Sequence, residues 1–530
     1  MREIREVLFG HVLKTVKILS FLLMLILWVS ALAVTCYVDD MSVQITRFRN
    51  NNFLVSVGIG VLGMLVFYLL ATWIHGKLPY KDKALLIVVM IWLCVTGAIL
   101  ILFGKSVPGG DAMSVYGIAE SFAEGDMSAI HPVDSYLSYY PHQIGLVAFL
   151  EMLFRIWNML GIDQHAYHFM KGIYVLLTCV TVYFGYLTVD KLWKNKSVNI
   201  LFLLLSAVNL PMLFYSSFVY GEVPAFAAFT VGVYCLMCFA EKKRLCLQGW
   251  LSILFFTLSV MLRKNSLILV IAVCLVVLCE GFLQKKRIFV AAAVVYMVGA
   301  VSILPLVQKG YEARAGNHLS SGVTTLSYLA MGMQEGHGAC GFYNGFNFNT
   351  YAQSGLNEDI ANEVSRRAIE ERLQYFKQNP QYALNFYVEK HLAQWAHASY
   401  DSLQATINNF GGRSEFFHSL YEGELAKYYT GYCKVFQIVI FGGAFLFALL
   451  MLKKKEDYAL PGGLADGFWV YIGLVGVLGG FLFHIMWEAS ARYIYAYSLL
   501  LVPYAAWGID CFWQKSFVKI KKILDSKRKT

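Results

Sequence analysis

Apolar residues run along this chain in long uninterrupted blocks, and that pattern predicts membrane-spanning helices. A helix needs roughly 20 apolar residues to cross a bilayer core. Blocks near that length fall at 18–36, 53–74, 84–103, 166–188, 198–218, 224–240, 266–283, 288–306, 431–452, 465–486 and 493–513. A shorter block at 248–262 pairs with 266–283 as a helical hairpin. The pattern predicts an all-α polytopic membrane protein, a bundle of about twelve transmembrane helices.

Charge sets the orientation. Lysine and arginine gather at the N-terminus (Arg2, Arg5, Lys14, Lys17), at 77–83, 191–196, 242–244, 285–287 and 453–455, and in the tail from Lys515. Cationic loops stay in the cytoplasm, so both ends are expected inside. Two apolar segments, 142–160 and 166–188, lie between a long loop and the basic cluster at Lys191, and parity allows one crossing. Glu151 and Arg155 sit four apart in the first segment, where they can pair on a helical face and are costly at mid-membrane. Segment 142–160 is therefore expected as a tilted or interfacial helix on the outer side.

Composition narrows the class. Of 530 residues, 58% are hydrophobic and only 15% charged, and the mean hydropathy is +0.55. A soluble enzyme, a disordered chain, a coiled coil and a secreted disulfide scaffold are excluded. The net charge of +10 reflects cytoplasmic loops rather than a nucleic-acid surface. Ala31-Leu32-Ala33 mimics a signal-peptidase site, but the apolar run before it exceeds a signal peptide's, so the first helix is expected to stay uncleaved. The eleven cysteines fall mostly within apolar runs, and Cys235-x-x-Cys238 reads as packing rather than a redox or zinc pair. No P-loop, dinucleotide fingerprint, HExxH or zinc spacing occurs.

The polar residues that remain collect in loops expected on the outer face. Pro108-Gly109-Gly110 breaks the third block, and Asp111 follows at the start of a short amphipathic surface helix. Asp111 is either an N-cap or a free carboxylate at the water–lipid boundary. Glu222, in Tyr220-Gly221-Glu222-Val223-Pro224, falls where one block ends and the next begins. It either complements a helix N-terminus or has a task. Arg263 and Lys264 at the hairpin tip break the positive-inside pattern, so something anionic is expected there, a lipid headgroup or a phosphorylated substrate. His484, Glu488 and Arg492, spaced by four, would share a helical face with a Glu488–Arg492 ion pair. Within 307–430, the run Gly341-Phe342-Tyr343-Asn344-Gly345-Phe346-Asn347 suits either sugar stacking or a packed lid. An amphipathic helix is expected over Asn357–Lys377, and another helix from Pro380 through Lys390 and Trp395.

On these residues the chain resembles the GT-C superfamily of membrane glycosyltransferases, near the protein O-mannosyltransferases and the lipid A aminoarabinose transferase. In that family a first outer loop carries an essential aspartate followed by a surface helix ending in Gly-Asp. Asp111 and Ala119 to Asp126 match this pattern. Tyr139-Tyr140-Pro141-His142-Gln143 matches a later proline-containing segment. Ala112 and His142 stand where the family has a second acid and a second proline. Glu222, Lys264 and Arg492-Tyr493 resemble a later loop acid, a hairpin lysine and a C-terminal Arg-Tyr.

The resemblance implies a GT-C-like core at 84–306 with its first outer loop at 104–141. A helix pair at 1–83 precedes the core; a mostly helical outer insertion at 307–430 and a C-terminal part at 431–530 follow it. It implies transfer of a sugar from a polyprenyl-phosphate donor to a hydroxyl of a glycan, lipid or protein, with inversion. Asp111 would be the general base, with Glu222 beside it. Lys264, Arg492 and Arg263 would bind the donor phosphate, and Tyr116, His142, Tyr343, Asn344, His484, Glu488 and Tyr493 would contact substrate. No cofactor is required by the sequence, although Asp111 and Glu222 could share a divalent cation. The expected setting is a bacterial plasma membrane, with the site extracytoplasmic, membrane lipids as neighbours and no nucleic acid. The competing classes are a transporter or flippase and a polymerase or ligase of lipid-linked glycans.

Overall fold

The structure is a computed structural model. It describes the chain except for residues 1, 39–44, 78–80, 134, 163–164, 407–413, 454–463, 465–466 and 528–530. The described residues form an almost entirely helical polytopic bundle with one two-stranded sheet. Nine of its helices are long and apolar enough to cross a membrane. Two shorter apolar helices, Lys196–Ala207 and Leu247–Leu262, and the long final helix Ala491–Lys527 carry the remaining apolar blocks.

A single crossing over 198–218 does not form. The helix Lys196–Ala207 stops, and Asn209 starts a new short helix, Leu210–Tyr215, by accepting the Met212 N–H at 3.3 Å. A polar cap within an apolar block is what divides it. The all-α expectation holds, with one small sheet in addition. Val34–Val38 pairs antiparallel with Thr46–Asn50, a β-branched and aromatic segment following the first helix.

Burial sorts the helices into layers. Glu222–Lys242 and Glu424–Met451 run through the middle of the bundle, with most of their side chains enclosed. Phe53–Lys77 and Lys81–Gly104 stand at the periphery and expose Leu54, Trp73, Ile87 and Leu102. A large apolar belt turned outward suits lipid rather than water. Small residues let the central helices approach closely: a Cβ on Gly508 of the final helix would overlap the Gly443 carbonyl of Glu424–Met451.

The long connections gather on one face. There the helices Thr325–Gly332, Phe346–Gln353, Glu358–Gln378 and Pro380–Trp395 build the insertion. Asn357 caps Glu358–Gln378 by accepting from Asp359 at 3.0 Å and Ile360 at 3.2 Å. The two-stranded sheet joins this face, with Thr46 N–H donating to Gly338 O at 3.0 Å and the Cys36 thiol to Leu392 O at 3.1 Å.

Segment 142–160 also belongs to this face. It forms Ile144–Met159, 16 residues or about 24 Å of helix, short of a bilayer core. Its Glu151 Oε1 lies 2.7 Å from Arg155 Nη2 and 2.6 Å from Arg314 Nη1. Both guanidinium groups also donate to Phe122 O, at 3.1 and 2.8 Å. The expected i,i+4 pair exists, and it ties this helix to the end of the surface helix and to Arg287–Ala315.

Candidate active site

Asp111 opens the surface helix Asp111–Glu124 but does not cap it. Gly110 occupies the N-cap position at φ 54°, a left-handed turn that glycine adopts without Cβ strain, and no side chain caps the helix. Asp111 is therefore the first helical residue. Its side chain is exposed and has no hydrogen-bond or ion-pair partner among the described residues. The helix dipole favours its negative charge there.

Glu222 opens the central helix Glu222–Lys242 and is 5% exposed. Its Oε1 lies 3.0 Å from Arg263 Nη2 and 3.5 Å from Arg492 Nε. These are ion contacts rather than aligned hydrogen bonds, and Oε2 has no hydrogen-bond partner among the described residues. Gly221 makes the approach possible, because a Cβ there would lie 2.7 Å from the Leu262 carbonyl oxygen. The arginines are flanked by rings. Arg263 Cζ sits 5.6 Å from the Tyr220 centroid and 5.7 Å from that of Tyr493. Arg492 Cζ sits 5.5 Å from Tyr220 and 5.8 Å from Tyr493. Cation–π contacts of this kind hold a guanidinium plane in place.

The shared helical face of His484, Glu488 and Arg492 does not form. The helix Ile472–Met486 ends at Trp487, which is extended at ψ 167°. Ala489 then pairs with the insertion, its N–H donating to Gly341 O at 2.7 Å. A new helix begins at Ala491, so Glu488 lies in the connection and Arg492 turns to Glu222 instead. Insertion backbone competes for these peptide groups, and that breaks the helical register. His484 remains beside the site: its ring stacks on Tyr493 at 5.8 Å. Burial pushes the Glu488 carboxyl up to about 7, against the opposing pull of Arg492 and a hydrogen bond from Tyr493.

Asp111 stands within electrostatic reach of this cluster. Its charge adds to burial in raising the hydroxyls of Tyr220, Tyr140 and Tyr343, and it acts on Glu488 as well. Lys264 is exposed and has no ion-pair partner among the described residues, yet desolvation by the surrounding protein lowers its pKa. His142 is held neutral at about 3 by burial first and then by Lys264 and Arg263.

Other expected residues divide. Tyr343 is 48% exposed and faces the same field as Asp111 and Glu488. Asn344 is committed to its own loop, donating to Gln334 Oε1 and Glu335 O at 3.0 Å and accepting from Phe346 N–H at 2.9 Å. Tyr116 packs edge-on against Phe154 and Tyr167 beneath the surface helix. Sequence reasoning missed Tyr220 as a site residue. Its ring serves both arginines and its hydroxyl accepts from Gln143 Nε2 at 2.6 Å. Its position two residues before Glu222 was the available signal.

Among the described residues, no group of three or more His, Cys, Asp or Glu side chains converges as a metal site. Glu222, flanked by two guanidinium groups, is a poor seat for a cation, so the pairing of Asp111 and Glu222 around a metal does not fit this geometry.

No protein-family model matches the chain, and no curated protein matches it. Among solved structures, it is similar to the archaeal oligosaccharyltransferase AglB from Archaeoglobus fulgidus, determined in complex with an inhibitory peptide and a dolichol-phosphate. The similarity has a TM-score of 0.42 at 11% identity and covers 85% of this chain and 52% of that one. The chain thus spans about half the length of that protein.

Proposed function

We propose that this chain is an inverting membrane glycosyltransferase that moves a sugar from a polyprenyl-phosphate donor to an acceptor hydroxyl at the extracytoplasmic face of a bacterial plasma membrane. The observation that carries the reading is a charge imbalance beside a free base. Arg263 and Arg492 share the carboxylate of Glu222, Lys264 beside them has no ion-pair partner among the described residues, and the unpartnered Asp111 lies within electrostatic reach. Desolvated cations with too little counter-charge favour an incoming anion, and arginine forks match phosphate oxygens.

In this reading the donor's isoprenoid tail stays in lipid, so its reactive carbon is met at the bundle's loop-bearing rim. Asp111 takes the proton of the acceptor hydroxyl as that oxygen bonds to the anomeric carbon. The bond from the anomeric carbon to the phosphate oxygen breaks, and its electron pair leaves with the phosphate. Arg492, Arg263 and Lys264 stabilise that developing charge. Glu222 holds the two arginines rather than exchanging protons. His484, Glu488, Tyr343 and Tyr493 offer hydrogen-bonding groups and ring faces to the sugar or acceptor.

Purified protein incubated with a radiolabelled polyprenyl-phosphate monosaccharide and a mixed acceptor fraction tests the reading. Label should leave the lipid and appear in an acceptor with the opposite anomeric configuration. Label that stays on the lipid, or merely crosses a vesicle membrane, overturns it.

A further inference from the structure

The insertion reaches the arginine cluster through one strained turn. Tyr400 and Asp401 stand side by side in the left-handed region, at φ 50° and 56°. Residues with a Cβ seldom adopt that conformation, and two in succession persist only when their surroundings hold them. Here hydrogen bonds at both residues do so. The Tyr400 N–H donates to His397 O at 3.2 Å, the Tyr215 hydroxyl donates to Tyr400 O at 2.5 Å, Gln437 Nε2 donates to the Tyr400 hydroxyl at 3.3 Å, and the Ala405 N–H donates to Asp401 O at 2.8 Å.

The turn aims the Asp401 carboxylate at the final helix. Oδ2 accepts the backbone N–H of Arg492 at 3.1 Å and the Ser490 hydroxyl at 3.4 Å. Arg492 is the second residue of Ala491–Lys527, where a backbone N–H has no acceptor within its own helix. The Ser490 hydroxyl accepts this N–H locally at 3.3 Å, and Asp401 adds a closer acceptor from a distant segment, with the charge sign the helix N-terminus favours. The Arg492 side chain is held by an ion contact with Glu222 at 3.5 Å and by the faces of Tyr220 and Tyr493, while its Nε makes no hydrogen bond among the described residues. Those contacts act on a guanidinium whose starting point is the backbone that Asp401 anchors.

We propose that Asp401 is a positioning residue for Arg492, through which the insertion fixes where that cation meets the donor phosphate; this rests on the donor role proposed above. A merely structural residue would change stability without depending on Arg492. A positioning residue loses its effect once Arg492 is gone.

Full-length Asp401→Ala, Arg492→Ala and the double variant separate these cases, with binding of a polyprenyl phosphate in detergent read by tryptophan fluorescence. Asp401→Ala should weaken binding about tenfold, and in the Arg492→Ala background it should cause no further loss. Fully additive losses overturn the proposal. If Asp401→Ala does not fold, Asp401→Asn, which keeps an acceptor oxygen without the charge, carries the same cycle with a smaller loss. Hydrogen–deuterium exchange over 490–495 gives an answer independent of donor binding. If the wild-type chain binds no polyprenyl phosphate, the proposed function fails and the donor half of this proposal fails with it; exchange then reads the anchor alone, faster exchange confined to 490–495 showing that Asp401 holds the Arg492 backbone and unchanged exchange overturning it.

Discussion

Arg492 places its Nε 3.5 Å from Oε1 of Glu222, the same oxygen that Arg263 Nη2 approaches to 3.0 Å. One buried carboxylate thus links the start of the final helix to the hairpin tip. Removing one partner from a buried charge cluster leaves the others unpaired, which costs about 3–5 kcal/mol where burial is complete. Arg492 keeps 24% of its side chain exposed and Arg263 16%, so water offsets part of this. Glu222→Gln should destabilise the protein by about 2 kcal/mol. Thermal unfolding in detergent reads this, and a melting curve identical to wild type would mean the arginines do not depend on Glu222.

Asp111 presents the opposite case. It makes no cap, hydrogen bond or ion pair among the described residues, so its removal should leave stability almost untouched. As general base it should matter greatly. Asp111→Asn is expected to lower sugar transfer by about 10²–10⁴-fold while the melting temperature stays within error of wild type. Activity retained in Asp111→Asn would remove the base assignment, and a large loss of stability would return Asp111 to a structural role.

Gly221 controls how closely the hairpin tip can sit. A Cβ there would lie 2.7 Å from the Leu262 carbonyl oxygen and 3.4 Å from Arg263 Cβ. Backbone cannot yield as a flexible side chain can, so Gly221→Ala should push Leu262, Arg263 and Lys264 away from Glu222. The expected outcome is weaker donor binding together with a destabilisation of about 1–3 kcal/mol from overpacking. Gly117→Ala, where a Cβ meets nothing, is the matched control. Equal behaviour of the two variants would show that the hairpin tip tolerates displacement.

Much of this arrangement was legible from local pattern. Apolar block length gives the helices, and the Pro-Gly-Gly before Asp111 gives the start of the surface helix. The placement of Glu222, Arg263 and Lys264 at block ends puts them at helix ends and turns. What the sequence hides is pairing across distance. His484, Glu488 and Arg492 read as one helical face because spacing is all the chain reveals. The helix ends at Trp487 because Gly341, far upstream, takes the Ala489 N–H. Asp401 carries no motif at all, and its meaning comes only from a left-handed turn that aims it at Arg492. Asn344 shows the converse. Its sugar-binding look is a property of residue type, while its donors and acceptor are already used by Gln334, Glu335 and Phe346.

Glu488 should make stability depend on pH in a direction opposite to most carboxylates. Burial raises its folded pKa from 4.5 to about 7. Below pH 4.5 the group is protonated whether the chain is folded or not, and its neutral form sits in the site without penalty. As pH rises from 4.5 toward 7 the unfolded chain releases the proton and the folded one retains it, so stability falls, and above 7 the loss is complete. A shift of this size corresponds to something on the order of 3 kcal/mol. His142 acts in the other sense. Its folded pKa is depressed from 6.5 to about 3, so the stability tied to its neutral form is present above 6.5 and is lost as pH falls toward 3. The two windows overlap, and a wild-type profile alone would blend them. Comparing Glu488→Gln with wild type isolates the first: the variant should gain relative stability steadily between pH 4.5 and 7 and keep a constant advantage above that. Parallel melting-temperature profiles for the two proteins across this range would mean that Glu488 ionises as freely in the folded chain as in the unfolded one.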